Sequence, residues 1–441
     1  MPAATRPRSA VGTACAIDFG TSNSAIAAPL PEGRTALVPL EDGATTMPTA
    51  VFYLAEGPGL QQLPRLFGRA AVASYMEGTE GRLMRSIKSV LGSGLMDQHT
   101  DIGAGRSVSF ADVIAGYLRH LKTQAEAASG QTLTQVVLGR PVYFVDGDPA
   151  RDAQAQAALE AAARAVGFAD IAFQYEPIAA ALHHEASTTR EERVLVADIG
   201  GGTSDFSLVR VSPQRRQRRD RRDDVLASHG VHIAGTDFDR RVDLGAILPL
   251  LGYGSLGPAQ PGQPAREVPS PVYFDLATWH LINTLQRPQR LAEVRALRVN
   301  FADLTLHRRL LKVVEEHLGH DLLGRAEGAK IEVAEGGEAH IDLGWVERGL
   351  AARVTHAEAA DWLRDDLRRI VDAARETVTM AGVPANQVDT LFFTGGSTGL
   401  SGLTGALCAA FPDARPVFGD RLASVASGLG LCASRWFDVK A

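Results

Sequence analysis

Lysine is almost missing from this chain. Lys88, Lys122, Lys312, Lys330 and Lys440 are the only five in a Lys plus Arg total of 45 over 441 residues, so nearly all the basic charge is arginine. None of the five follows a glycine, which excludes the phosphate loop that ends in Gly-Lys. Cysteine is scarce as well. Cys15, Cys408 and Cys432 are an odd set without metal-ligand spacing, the usage expected of a reduced cytoplasm. No apolar run approaches bilayer length, and the start MPAATRPRSAVG has no apolar core, so neither a membrane span nor a secretory signal is read. A net charge of −6 argues against a general nucleic-acid binder.

Glycine, by contrast, is plentiful at 44 residues, and three stand in a row in Asp198-Ile-Gly-Gly-Gly-Thr-Ser-Asp205. Consecutive glycines are costly to order, so this position needs backbone rather than side chains. Apolar strand-like residues precede the turn and Phe206–Val211 follows it, which reads as a hairpin. Ala16-Ile-Asp-Phe-Gly-Thr-Ser-Asn-Ser-Ala-Ile-Ala27 has the same layout some 180 residues earlier. Each is a strand ending in Asp, a turn of Gly and hydroxyl residues, and a returning strand. The repetition predicts a duplicated α/β fold whose halves face each other, with Asp18 opposite Asp198.

The intervening pattern is consistent with this. Helices are expected at Phe110–Ala127, Ala150–Val166 (ended by Gly167) and from Glu176-Pro177 onward. A long helix, Thr355–Met380, opens with the capping box Thr355-His-Ala-Glu358 and leads to the strand Thr390–Thr394, the turn Gly395–Gly399 and a helix Leu400–Ala410. Gly252–Pro271 reads as loop. Pro213–Asp224 holds six arginines in eight positions and reads first as a solvated loop tip, with an acidic partner or nucleic acid as the alternative. His183 and His184 read as ordinary helix residues.

Two motif matches fail on context. Gly252-Tyr-Gly-Ser-Leu-Gly257 fits a dinucleotide fingerprint, but Pro258 and Pro261 follow where a helix is required. Gly395-Gly-Ser397-Thr-Gly399 fits a nucleophile elbow, yet no histidine occurs after His356 to complete a triad in the hydrolase order. Instead, glycine amides can converge on an anion, with the Thr203 hydroxyl as a further donor, and a strand-end Asp suits hydrated Mg²⁺. The Gly395–Gly399 turn lets a ligand approach a helix start closely. Glu176, at another helix start, either stabilises that helix or orients a water molecule.

Taken together, these segments resemble the ATPase domain of the seventy-kilodalton heat-shock (DnaK-like) chaperones, in the actin, hexokinase and chaperone ATPase superfamily. The first phosphate segment is matched by Ala16–Ser24, the second by Asp198–Asp205, the connecting helix by Tyr175–Leu182 and the adenosine segment by Phe393–Gly399. Gly235-Thr-Asp-Phe-Asp239 also has the family's look. The resemblance implies an α/β, duplicated actin-like ATPase (ribonuclease H-like) fold of two lobes with a central nucleotide cleft. It further implies ATP/ADP and Mg²⁺ as ligands, with K⁺ an optional further ion. The metal shell would be Asp18, Asp198 and Asp205, and the catalytic residues Lys88 (in Arg85–Gly92), Glu176 and Asp198. Gly20, Thr21, Ser22, Asn23, Gly200, Gly201, Gly202 and Thr203 would contact phosphates. Glu327 and Lys330, in Ala326–Ile331, would serve the ribose or base, and Gly395, Gly396 and Ser397 the adenosine.

The implied organisation is a flexible stretch 1–12, lobe I at 13–195, and lobe II at 196–419 with an outer subdomain about 228–350. A closing helix at 420–438 returns to lobe I. Gly399 and Ile331 stand where the family places arginines that stack on adenine. The sequence ends soon after Leu422–Trp436, which leads us to expect a resemblance closest to stand-alone, YegD-like chaperone homologues. Expected activity is slow ATP hydrolysis whose nucleotide state controls lobe closure and an unidentified protein partner; the Arg-rich loop 215–222 would contact an acidic one. Two alternatives are a small-molecule kinase of the superfamily, marked by substrate-dependent ADP production, and an actin-like filament, marked by ATP-dependent sedimentation.

Overall fold

A computed structural model describes residues 13–31, 34–55, 64–93, 95–96, 98–103, 105–145, 147–259, 262, 264–334 and 336–437. The expected flexible stretch 1–12 and the last residue of the expected closing helix lie outside these. The first main sheet is built from β1 (Thr13–Phe19), β2 (Asn23–Pro29), β3 (Thr35–Leu37), β4 (Leu133–Arg140) and β5 (Asp170–Tyr175) in the order β5-β4-β1-β2-β3. The second contains β6 (Glu192–Ile199), β7 (Ser204–Val211), β8 (Val225–Val231), β9 (Thr390–Thr394) and β10 (Arg415–Phe418) in the order β8-β7-β6-β9-β10. In both, the leading strand pairs antiparallel with its hairpin mate and parallel with a strand that arrives much later. One topology is therefore written twice. This is the duplicated actin-like ATPase fold.

Period-two alternation explains how each leading strand is buried on two sides. In β1, Cys15, Ile17 and Phe19 enter one core with Val113, Ile114, Leu118 and Leu121 of α2 (Phe110–Ser129) and Leu159 of α3 (Pro149–Ala165). Ala14 and Ala16 face the other way. In β6, Leu195, Ala197 and Ile199 join the core beneath α7 (His356–Met380), while Val194 and Val196 face away. Those opposite faces meet in one shared core. It contains Ile178–Leu182 of α4 (Glu176–Ser187) and Val425, Leu429, Cys432 and Ala433 of α9 (Ser424–Trp436), with residues of both sheets.

Small side chains at the crossing let α4 and α9 approach closely. A buried methyl group contributes only about 0.8 kcal/mol, so closeness rather than bulk holds α4 against α9. A Cβ on Gly428 would lie 1.9 Å from the Ala179 carbonyl oxygen, so the crossing requires glycine there. Asp18 continues the row Ala14-Ala16, and Asp198 continues Val194-Val196. The alternation thus delivers both carboxylates to the faces that the two sheets turn toward each other.

Helix ends follow the local chemistry. Ser109 accepts the Asp112 amide at the start of α2, and Gly130 ends it at φ 66°. Asp148 accepts the Arg151 amide before Pro149 opens α3. Thr355 and Glu358 form the expected capping box of α7. The turn at Gly396–Gly399 is a tight 3₁₀ turn, so the following helix, α8 (Ser401–Ala410), starts one residue later than expected. A separate core of Val242, Leu248, Tyr273, Leu310, Leu322 and Val354, among others, organises the chain between α5 (Gly235–Val242) and the start of α7, including α6 (Gly319–Val333). This outer part touches α1 (Gly68–Met76) of the first half: Tyr75 stacks on Trp279 at 4.9 Å, and Arg85 lies over the Trp279 ring at 4.1 Å.

The arginine-rich segment departs from the solvated loop expected for it. Arg221 is buried and donates to both Glu185 carboxylate oxygens at 2.8 and 3.1 Å and to Asp224. Arg215 also binds Asp224, and Arg216 donates to the Glu185 and Thr188 carbonyls at the end of α4. Arg219 reaches the carbonyl of Trp436 in α9. The segment is bolted to the two helices of the shared layer, because buried carboxylates and open helix-end carbonyls need donors. Arg218 and Arg222 remain exposed.

Candidate functional site

The two hairpin turns meet. A Cβ on Gly201 would lie 3.1 Å from Ser22 Oγ of the other hairpin. Gly20 is compelled by its own turn, since a Cβ there would lie 2.2 Å from the Asn23 carbonyl oxygen. Thr49 donates to the Gly20 carbonyl at 2.7 Å and bonds Ser24 at 2.8 Å, which fixes the turn from behind.

The triple-glycine turn is held by its carbonyls. Gly200 O accepts Ser397 Oγ at 2.7 Å and the Gly235 amide at 3.3 Å, and Gly201 O accepts the Thr236 amide and hydroxyl at 2.8 Å each. The amides of Gly201, Gly202 and Thr203 have no protein acceptor among the described residues. Carbonyls tied back and amides left free are what an anion-binding backbone needs. Gly395 has φ 89°, and a Cβ there would lie 2.4 Å from Ile199 O, so the third turn packs directly on the end of β6. Asn23 starts β2 and is exposed.

Beneath the turns lies a group of charges. Lys88 Nζ donates to Glu176 Oε1 at 2.6 Å, with side-chain exposures of 10% and 16%. Lys88 sits in the 3₁₀ turn Ile87–Val90, entered through Ser86 at φ 53°, a left-handed conformation rare for a residue with a Cβ. Glu176 occupies the first position of α4, with Pro177 behind it. Gly139 makes room for it: a Cβ there would lie 3.2 Å from Glu176 Cγ. Burial opposes the Lys88 ammonium, but Glu176 and Asp18 outweigh it and hold its pKa above the usual value.

Burial and the neighbouring Glu176 push Asp18 up to about 8, with Lys88 opposing and Asp198 adding to the rise. Asp198 rises to about 7 through burial, Asp205 and Glu176. Asp205 is raised by burial, although Thr203 Oγ1 donates to it at 2.8 Å. Four carboxylates and one ammonium thus share a small space, an excess of negative charge that a cation would relieve.

The remaining expected residues lie on α6. Lys330 Nζ is 2.6 Å from Asp239 Oδ1, which burial pushes up to about 6 against the pull of Lys330. Glu327, one turn earlier, is exposed. Sequence reasoning missed Asp239 as the partner of Lys330, although it had marked Gly235–Asp239. A pocket of about 460 Å³ lies among Arg140, Tyr175, Arg219, Arg222 and Trp436, and none of the four carboxylates lines it. No group of three or more His, Cys, Asp or Glu side chains placed to hold a metal ion directly occurs among the described residues. No helix among them is long and apolar enough to cross a membrane.

Comparison with known proteins places this geometry in a family. The profile described as Hsp70 protein matches residues 14–243, which include both hairpins, Lys88 and Glu176 but not the α6 and Gly395–Ser397 segments. The chaperone protein DnaK of Thermosipho melanesiensis is 33% identical over 228 residues, covering 51% of this chain and 34% of that protein. DnaK of Thermosipho africanus matches to the same extent. The match spans about a third of the length of these relatives. With the duplicated fold and the matched half carrying both turns, the chain belongs to the Hsp70 protein family.

Proposed function

We propose that this protein binds ATP with Mg²⁺ between the two hairpin turns and hydrolyses it slowly, as a chaperone-like switch whose nucleotide state sets lobe closure and thereby partner binding. The observation that carries the reading is the meeting of Ser22 with Gly201, the turns of two hairpins whose strand-end carboxyls, Asp18 and Asp198, feel the charges of the Lys88–Glu176 pair. Free amides on the glycine turn favour phosphate oxygens. Mg²⁺ takes one or two carboxylates and keeps most of its waters, so Asp18 and Asp198, with Asp205 behind, fit it without a full protein cage. Bound there, the ion would neutralise charge on the phosphates.

Without a phosphate, the Lys88 ammonium is held by Glu176. A γ-phosphate gives that ammonium a competing acceptor, which frees a Glu176 oxygen to receive a proton from water and aim it in line. Positioning and fixed charge supply the rate, as expected for phosphoryl transfer. Ser397 and Gly395, which bond and pack on the end of β6 and the glycine turn, would serve the nucleoside side, and Lys330, released from Asp239, and Glu327 would serve the sugar.

The test is ADP release by purified protein. Lys88→Ala removes charge aimed at the reacting phosphate and is expected to lower turnover about 10²–10³-fold. Asp198→Asn is expected to raise the Mg²⁺ concentration needed for half-maximal rate. An ATPase that neither substitution lowers would refute the assignment.

A further inference from the structure

Lys88 is carried on a strained piece of chain. Ser86, two residues before it, has φ 53° and ψ 33°. Among the described residues only Asp42 and His317 share a positive φ without being glycine, and both are types that enter that region more readily. Serine is not, and the Ser86 hydroxyl caps nothing in the turn that follows. A conformation that costs free energy and has no local compensation persists only where its surroundings impose it.

Both sides of Ser86 are fixed. Before it, the strand Gly81–Arg85 pairs antiparallel with Ala50–Leu54, and its last pair is Arg85 with Ala50. Thr49, next to Ala50, donates its amide to Ser22 O at 2.9 Å and its hydroxyl to Gly20 O at 2.7 Å, so this strand end is tied to the first hairpin turn. The Arg85 guanidinium reaches across to the other half and lies 4.1 Å from the Trp279 ring centroid. After Ser86, its carbonyl accepts the Ser89 amide at 2.9 Å and the Ser89 hydroxyl at 2.7 Å, which closes the turn. Ile87 and Leu91 are buried in the core of the first half, and Gly92 O accepts Arg151 Nε at 2.9 Å. Ser86 is the one joint between two anchored pieces, and its backbone angles set where the Lys88 ammonium stands.

On the ATPase reading above, we propose that Ser86 and Arg85 are positioning residues for Lys88: the left-handed joint at Ser86 aims the ammonium, and the Arg85 contact with Trp279 of the other half holds that joint in place. Separation of the outer parts removes this hold. The joint then relaxes toward an ordinary conformation and draws the ammonium away from the reacting phosphate. Contact between the halves is in this way sensed at the charge that hydrolysis needs. A displacement of about 1 Å is enough to cost about 10²-fold in rate.

Single-turnover hydrolysis of ATP by the full chain with Mg²⁺, read beside ATP affinity by titration, tests this. Valine is β-branched and disfavoured in the left-handed region, whereas asparagine enters it. Ser86→Val is expected to lower the rate constant about 10–100-fold with ATP affinity changed less than about twofold, and Ser86→Asn to recover most of the rate. Arg85→Met is expected to lower the rate constant about 3–10-fold in the wild-type chain. Beside Lys88→Ala it is expected to lower it less than about twofold, because the ammonium it positions is gone. No loss in Ser86→Val, a loss that Ser86→Asn shares, or an Arg85→Met loss of equal size in both backgrounds overturns the inference. If Ser86→Val melts well below the wild-type chain, the Arg85→Met cycle, made on an exposed residue, decides. A wild-type chain that hydrolyses no ATP sinks the proposed function and this inference with it. An ATPase that Lys88→Ala lowers and these substitutions leave alone sinks the inference only.

Discussion

Replacing Arg221 tests whether the arginine-rich segment is structural. Its guanidinium is 1% exposed, Glu185 is 1% and Asp224 is 2%. Arg221→Met keeps much of the volume and removes the charge. Glu185 is then left with the Ser212 amide at 3.1 Å as its remaining donor in this network, and Asp224 with Arg215. Breaking a buried pair in this way costs about 3–5 kcal/mol, because one carboxylate stays buried without compensation. For a unit of about 200 residues, this corresponds to a fall in melting temperature of about 6–20 °C. Arg218→Ala, on the exposed part of the same segment, should change stability by less than about 0.5 kcal/mol. Urea titrations of both variants, with Arg221→Met/Glu185→Leu closing a double-mutant cycle, make the comparison. The double variant is expected to recover at least about 2 kcal/mol relative to the sum of its single substitutions. If Arg221→Met resembles Arg218→Ala, or if the two substitutions simply add, the network does not hold the segment.

Three more outcomes follow from the packing. Gly428→Ala drives a Cβ into the Ala179 carbonyl and should destabilise by about 2–3 kcal/mol, whereas Gly405→Ala in open space on α8 should stabilise by up to about 1 kcal/mol; thermal melts that rank them otherwise refute the α4–α9 crossing. Burial, then Arg85, pushes His320 down to about 4, so between pH 6.5 and 4 the unfolded chain binds the extra proton and stability rises with pH. The His320 contribution, complete above pH 6.5, should fall by about 2 kcal/mol by pH 5 and be absent in His320→Gln, as read from urea midpoints. Trp279→Ala removes the stack on Tyr75 and the Arg85 contact between the halves, so a fluorescent ADP analogue should dissociate about tenfold faster; an unchanged rate means the contact does not restrain opening.

Much of the site was legible in the sequence because its determinants are local. Two strands of period two, each ending in Asp before a glycine turn, put Asp18 and Asp198 on corresponding faces whatever packs around them. Gly20 and Gly395 announce turns that no Cβ would permit, and Thr355-His-Ala-Glu358 specifies a helix start by its own hydrogen bonds. The arginine-rich segment is only half legible, for the opposite reason: Arg218 and Arg222 are exposed as expected, whereas Arg221 is buried. Composition describes a charged run as solvated, and only the position of Glu185 shows that Arg221 has a buried partner.

What the tertiary structure alone decided are the pairings across long stretches of chain. Tyr75 meets Trp279, Lys330 meets Asp239 and Lys88 meets Glu176. Each depends on where whole elements pack, and no propensity or spacing within a short window encodes that. The sequence by itself determined two hairpins with their carboxylates and free backbone. The crossing of α4 and α9 in the shared core sets how the two sheets, and so those hairpins, face one another, because at Gly428 the Ala179 carbonyl leaves no room for a side chain.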